Sequence, residues 1–270
     1  MAARRERSDL GPRLLFAAPA IVYAIVIVSE GGLVFALGLM PLAIVALAEL
    51  YKLMERVRPI NIAGFLTVIA LVLAAHHGDF RHLMIVLVCA FPVTFFFAFL
   101  RPRMQNVSWA VAATLFGVLW IGLAMAHAIF LRELPNGEGL LIDVLVGTFV
   151  GDTAAYFGGR FYGRIPLAPD ISPKKTVEGL VCGIVGGTVA FWVAGLYQDW
   201  LSGVDALTIG VLVALMAPIG DLFESMIKRD LEVKDTGRLF GPHGGVLDRL
   251  DAVFFTVVVG YYASVSLGYG

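Results

Sequence analysis

The chain has 270 residues, 59% of them hydrophobic and 15% charged, with a mean hydropathy of +0.85. A soluble domain typically carries about 25% charged residues, so this composition excludes an ordinary soluble fold and points to a membrane protein. The net charge of −1 gives no reason to expect a nucleic-acid partner, and Cys89 and Cys182, each alone in an apolar run, give none for a disulfide framework or a cysteine zinc site.

A membrane-spanning helix needs about 20 mostly apolar residues, because backbone N–H and C=O groups must pair internally in hydrocarbon. Nine such runs are expected, at about 14–29, 33–48, 60–75, 83–100, 107–131, 140–157, 177–197, 204–223 and 252–267. Arg4, Arg5 and Arg7 before the first run resemble the start of a secretory signal peptide. With so many apolar runs behind it, an uncleaved first span is the better expectation. Only Glu30-Gly31-Gly32 separates the first two runs, and merged they would be too long for one span, so a tight helical hairpin is expected.

The basic residues test this count independently, since cytoplasmic loops are enriched in Lys and Arg. Nine spans with a cytoplasmic N-terminus place eighteen of the 20 Lys and Arg residues on the cytoplasmic side, leaving Arg81 and Arg132 on the other. Merging the first two runs would strand the four N-terminal arginines outside. The expected architecture is therefore an all-α polytopic membrane protein, one domain over residues 1–270.

Ionisable residues inside spans are costly and mark functional sites. Asp152 in the sixth run is the clearest, while Asp143, nearer the other end, reads as interfacial. Gly147 and Gly151 in the sixth run, and Gly179, Gly183 and Gly187 in the seventh, have the spacing that lets helix backbones approach closely. The glycines from Gly158 to Gly163 lack the Lys-Ser/Thr that a phosphate-binding P-loop requires, because Arg164 and Ile165 follow. Ser172-Pro173 suits an N-cap and first helical position, so the seventh helix is expected to start there. Lys174 and Lys175 would then lie in its first turn, where cations oppose the helix dipole unless an anion shares the site. Snorkelling to anionic lipid headgroups is the rival role for this pair.

Ten of the 41 charged residues crowd into residues 225–251. On a helix continuing past the eighth run, Asp221, Ser225, Lys228 and Arg229 share one side. Asp248 and Asp251 share a face if the ninth helix begins near Leu247. Facing carboxylates from two helices suit a hard cation such as Mg²⁺, which takes oxygen ligands and substrate phosphate. Gly237, Gly241, Gly244 and Gly245 permit close backbone approach to a ligand. The residues by themselves thus indicate a metal-dependent phosphate or nucleotide site at the cytoplasmic face.

The stretch Ser225-x-Ile-Lys-Arg-x4-Lys234-Asp235-x-Gly237-x5-His243-Gly-Gly-Val-x-Asp248-Arg249-Leu-Asp251 resembles the signature of the phosphatidate cytidylyltransferases, or CDP-diacylglycerol synthases. Asp152-x3-Tyr156, Arg160, Gly163 and Ser172-Pro-Lys-Lys-Thr176-x-Glu178-Gly179 are similar to a second block of that family. The convincing match covers about residues 147–260. One departure is the order Gly241-Pro242, where the family commonly has Pro-Gly before the histidine. The resemblance implies variable N-terminal helices to about residue 135, with the catalytic helices and loops following from about 136.

It also implies that CTP and phosphatidic acid give CDP-diacylglycerol and pyrophosphate, with Mg²⁺ and a possible second cation. Asp221 and Asp248 would be direct metal ligands, with Asp152 and Asp251 as ligands or as groups that orient them. Asp221, Asp248, Ser225, Lys228 and Asp251 would carry catalysis. Ser172, Lys174, Lys175, Thr176, Glu178, Lys228, Arg229, Lys234, Asp235, His243 and Arg249 would bind CTP or the lipid phosphate. The implied setting is a bacterial cytoplasmic membrane, with the site facing the cytoplasm, the bilayer as a partner and a homodimer as the assembly. Neighbouring alternatives are a CTP-dependent polyprenol or phytol kinase and an enzyme cytidylating archaeal ether lipids. A transporter using Asp152 and Asp221 for ion coupling is the alternative from another class, though the halves show no inverted repeat.

Overall fold

The computed structural model describes residues 19–102, 105–233, 235–237 and 244–270. Among these, the apolar runs form helices α1 (Pro19–Glu30), α2 (Gly32–Leu53), α3 (Asn61–His77), α4 (Phe80–Phe99), α5 (Val107–Glu133), α6 (Gly137–Tyr162), α7 (Val177–Gly195), α8 (Gly203–Asp230) and α9 (Leu247–Ser266). Six of them are long and apolar enough to cross a membrane, namely α2, α4, α5, α6, α7 and α8. The protein is thus an all-α polytopic membrane protein, with a small two-stranded ribbon between α6 and α7.

The first two helices part at Gly31, whose φ of 66° lies in the left-handed region open to glycine. Arg132 closes this turn from the end of α5: its Nε donates to Val28 O at 2.7 Å and its Nη2 to Ser29 O at 3.3 Å. A basic side chain thereby satisfies carbonyls that a helix C-terminus leaves unpaired. Helix α5 changes to π-helical geometry over Val118–Gly122 before resuming as an α-helix.

Helices α6 and α7 cross on their glycines. A Cβ on Gly151 would stand 3.2 Å from Gly183 O, and one on Gly187 would stand 2.8 Å from Gly147 O. Where lipid removes the hydrophobic drive between helices, such backbone proximity supplies the packing energy. The small-residue spacing therefore does what its pattern indicated, and it draws the Asp152 segment of α6 toward α7 and α8.

The seventh helix does not start at Ser172. Residues Ser172–Thr176 instead form strand β2, antiparallel to β1 (Pro166–Ala168), with Pro166 opposite Thr176 and Ala168 opposite Ser172. Thr176, in extended conformation, caps α7 by accepting Gly179 N–H at 3.2 Å. The physical reason lies in the charges: two lysines in a first turn would oppose the dipole, whereas starting at Val177 puts Glu178 there. Glu178 also accepts Arg164 N at 3.0 Å and Ile165 N at 3.2 Å, fastening the ribbon to the helix. The eighth helix runs on to Asp230 and the ninth starts at Leu247, so both extend beyond their apolar stretches.

Candidate active site

The polar ends of α6, α8 and α9 converge beside the ribbon. Asp152 on α6, Asp221 on α8 and Asp251 on α9 are close enough to repel one another electrostatically. Lys175 reaches in from β2, its Nζ 2.6 Å from Asp221 Oδ2. That ammonium is buried, and beyond this ion pair it has no assigned partner among the described residues. The strand geometry makes this contact, which the expected helical first turn would not have predicted. Lys174, its neighbour on β2, is exposed.

A second ion-pair cluster lies one turn further along α8. Lys228 hydrogen-bonds Glu224 and donates to Asp248 Oδ1 at 3.0 Å, placing one ammonium between carboxylates of α8 and α9. Asp248 Oδ2 accepts three more donors: Thr236 N at 3.0 Å, Thr236 Oγ1 at 2.8 Å and Gly245 N at 2.8 Å. Asp248 therefore ties the loop to the start of α9. Glu224 is buried, and its Oε1 has no hydrogen-bond partner among the described residues. Asp251 Oδ1 accepts Ala252 N at 2.8 Å.

The two clusters are electrically continuous, because Asp251 interacts with Asp221 on one side and Lys228 on the other, and Glu224 with Asp248 and Asp251. Five carboxylates thus share the two ammonium groups of Lys175 and Lys228. An all-oxygen set with this excess of negative charge fits a hard cation such as Mg²⁺. Among the described residues no hydrogen bond is assigned to Asp152, and Asp221 is met only by Lys175 at Oδ2, so their remaining lone pairs suit that role. Among the described residues no group of three His, Cys, Asp or Glu side chains forms a ready metal cage.

The remaining expected residues are distributed around this centre. Ser172 and Thr176 lie on β2, and Thr176 and Glu178 hold the α7 start as described. Arg229 donates from Nε to Ile171 O at 3.0 Å, pinning the ribbon turn to the end of α8. Ser225 is half-buried on α8, Asp235 is exposed in the loop, and Arg249 is exposed in the first turn of α9. Lys234 and His243 lie outside the described residues. Asp143 is buried within the bundle, with both carboxylate oxygens 2.9 Å from Gln198 Nε2.

Three residues went unnoticed in the sequence: Glu49, Glu224 and Thr236. Glu49 and Glu224 each stand one position beyond an expected apolar run, so they resembled loop charges. Their helices continue past the apolar stretch and carry them inward. The available signal was helical continuation: Glu224 is three residues after Asp221 and four before Lys228, on the same side of α8. Thr236 offered no signal, since its partner is twelve positions away.

Known proteins resemble this chain along its length. The model of a family described as the cytidylyltransferase family matches residues 12–267. A phosphatidate cytidylyltransferase from Synechocystis is 33% identical over 200 residues, covering 64% of this chain and 68% of the relative. One from Staphylococcus epidermidis is 29% identical over 256 residues, covering 91% of this chain and 95% of the relative. One from Mycobacterium bovis is 35% identical over 164 residues, covering 59% of this chain and 52% of the relative. The chain thus matches about half the length of the mycobacterial relatives.

Proposed function

Because the chain belongs to the cytidylyltransferase family, we propose that it transfers the cytidylyl group of CTP to phosphatidic acid, releasing pyrophosphate and forming CDP-diacylglycerol. The single observation that best supports this is the Lys175 ammonium, buried beside Asp221 with no assigned partner besides that carboxylate among the described residues. A buried, under-bonded cation at the membrane-proximal ends of several helices is suited to a phosphate that belongs to a lipid or a nucleotide.

The residues do their work by alignment and charge neutralisation, as in phosphoryl transfer generally. A phosphatidate oxygen forms the new bond to the α-phosphorus of CTP as the bond to the pyrophosphate oxygen breaks. Lys175 and Lys228 neutralise phosphate oxygens, joined by the exposed Lys174 and Arg229 and by Lys234. Ser172 and Ser225 offer hydroxyl donors to those oxygens. A Mg²⁺ ion held by Asp221 and Asp152, with Asp248 and Asp251, would supply further charge neutralisation on the phosphates. The carboxylates hold the two lysines apart before substrate arrives. We assign the site to the cytoplasmic face, the side on which nine spans with a cytoplasmic N-terminus would put eighteen of the 20 basic residues.

The test is direct: purified protein in detergent with Mg²⁺, labelled CTP and phosphatidic acid should move label into the organic phase. Label that stays aqueous across metals and phosphatidate species would overturn the assignment. Transfer of the γ-phosphate rather than the nucleotide to a lipid alcohol would instead identify a kinase.

A further inference from the structure

The N-terminal half of the chain carries none of the motifs, yet one of its side chains reaches the charged loop. Glu49, in the last turns of α2, accepts Leu247 N–H at Oε2 over 2.9 Å, joining residues 198 positions apart. The Val246 backbone and the Thr236 side chain also lie against its carboxylate. Gly237 and Gly245 pack so tightly on it that a Cβ at either position would run into the carboxylate. Two glycines of the loop are therefore explained by the approach of a protein group rather than of a ligand.

Leu247 opens α9, and Val246 before it offers no side-chain cap. The first N–H groups of a helix need acceptors, and an anion is favoured there by the dipole. Glu49 performs the capping task from another helix. Val246 and Leu247 are buried, so without Glu49 their N–H groups would lack solvent as well as a partner. Asp248 grips the same loop from the opposite side through Thr236 and Gly245. Residues 235–237 and 244–247 are thus held between two carboxylates, one from α2 and one from α9.

We infer that Glu49 is a positioning residue for the reaction, fixing the loop and the first turn of α9 so that the Lys228–Asp248 pair is presented to the substrate phosphates. The inference rests on the cytidylyl-transfer reading above. It places a requirement for catalysis in the half of the chain that carries no signature.

The experiment compares the full-length protein with Glu49→Ala and Glu49→Gln, by steady-state kinetics and by amide hydrogen exchange. Displacing a catalytic constellation by a small distance costs about 10²-fold in rate. Glu49→Ala should lose kcat on that scale with the KM for phosphatidic acid unchanged. Glu49→Gln, which keeps one acceptor oxygen, should lose less. Exchange should quicken at 235–237 and 244–248 and stay unchanged in α6 and α7. Wild-type kcat in Glu49→Ala, unchanged exchange in the loop, or quickened exchange in every helix would each overturn the inference. Should Glu49→Ala fail to fold, the same comparison on Glu49→Gln decides. If the wild-type protein forms no CDP-diacylglycerol, the cytidylyl reading falls, while the exchange data still judge whether Glu49 holds the loop.

Discussion

Asp248 and Lys175 concentrate the chemistry at the level of single residues. Asp248 combines one ammonium and three neutral donors on a single carboxylate. Asp248→Asn would turn an amide N–H₂ toward donors and leave Lys228 with Glu224 alone. Breaking a buried pair on one side costs on the order of 3 kcal/mol. The expected outcome is loss of label transfer together with a lowered thermal midpoint, and retention of most activity would remove Asp248 from the site. The two lysines of β2 should separate in their effects. Lys175→Gln strips Asp221 of its cation, whereas Lys174 is exposed, so the drop in kcat/KM should be larger for Lys175→Gln than for Lys174→Gln. Equal small losses would favour a headgroup-binding role for the pair. Asp221, Lys175, Asp248 and Lys228 were each visible in the sequence as site candidates. What was not visible is that Asp221 pairs with Lys175 and Asp248 with Lys228, because each partner comes from a different element.

Among the elements, the α6–α7 crossing and the ribbon decide where the charges stand. Gly187 lies within 2.8 Å of Gly147 O and 3.2 Å of Ala214 Cβ for an added Cβ, so it is shared by α6, α7 and α8. Gly187→Val should push these helices apart at a cost of about 1–3 kcal/mol, the usual range for overpacking. A lowered thermal midpoint and reduced turnover are expected together, since the same shift separates Asp152 from Asp221. A variant with wild-type stability would show that the crossing tolerates expansion. The glycine spacing made this crossing legible in advance. The ribbon was not: Ser-Pro before a pair of lysines satisfies the local rules for a helix start, but the dipole disfavours lysines in a first turn. Thr176 and Glu178 offered a better start four residues on, and cross-strand pairing to Pro166–Ala168 settled the strand.

For the molecule as a whole, the distribution of basic residues predicts orientation. In a protein whose Cys89 and Cys182 are replaced, Asp230→Cys at the end of α8 and Pro135→Cys between α5 and α6 stand at exposed positions. An impermeant thiol reagent should label the Pro135 variant in intact cells and the Asp230 variant only after permeabilisation; the reverse pattern would invert the topology. By itself the sequence determined the membrane class, the helical architecture, the hairpin at Gly31 and the crowding of charge toward residues 225–251, because apolar run length, glycine spacing and charge placement are local and one-dimensional. Only the tertiary structure decided which carboxylate meets which ammonium, that Lys175 works from a strand, and that Glu49 caps α9 from 198 positions away. Such pairings depend on how helices pack across the bundle, and no periodicity along the chain encodes that distance.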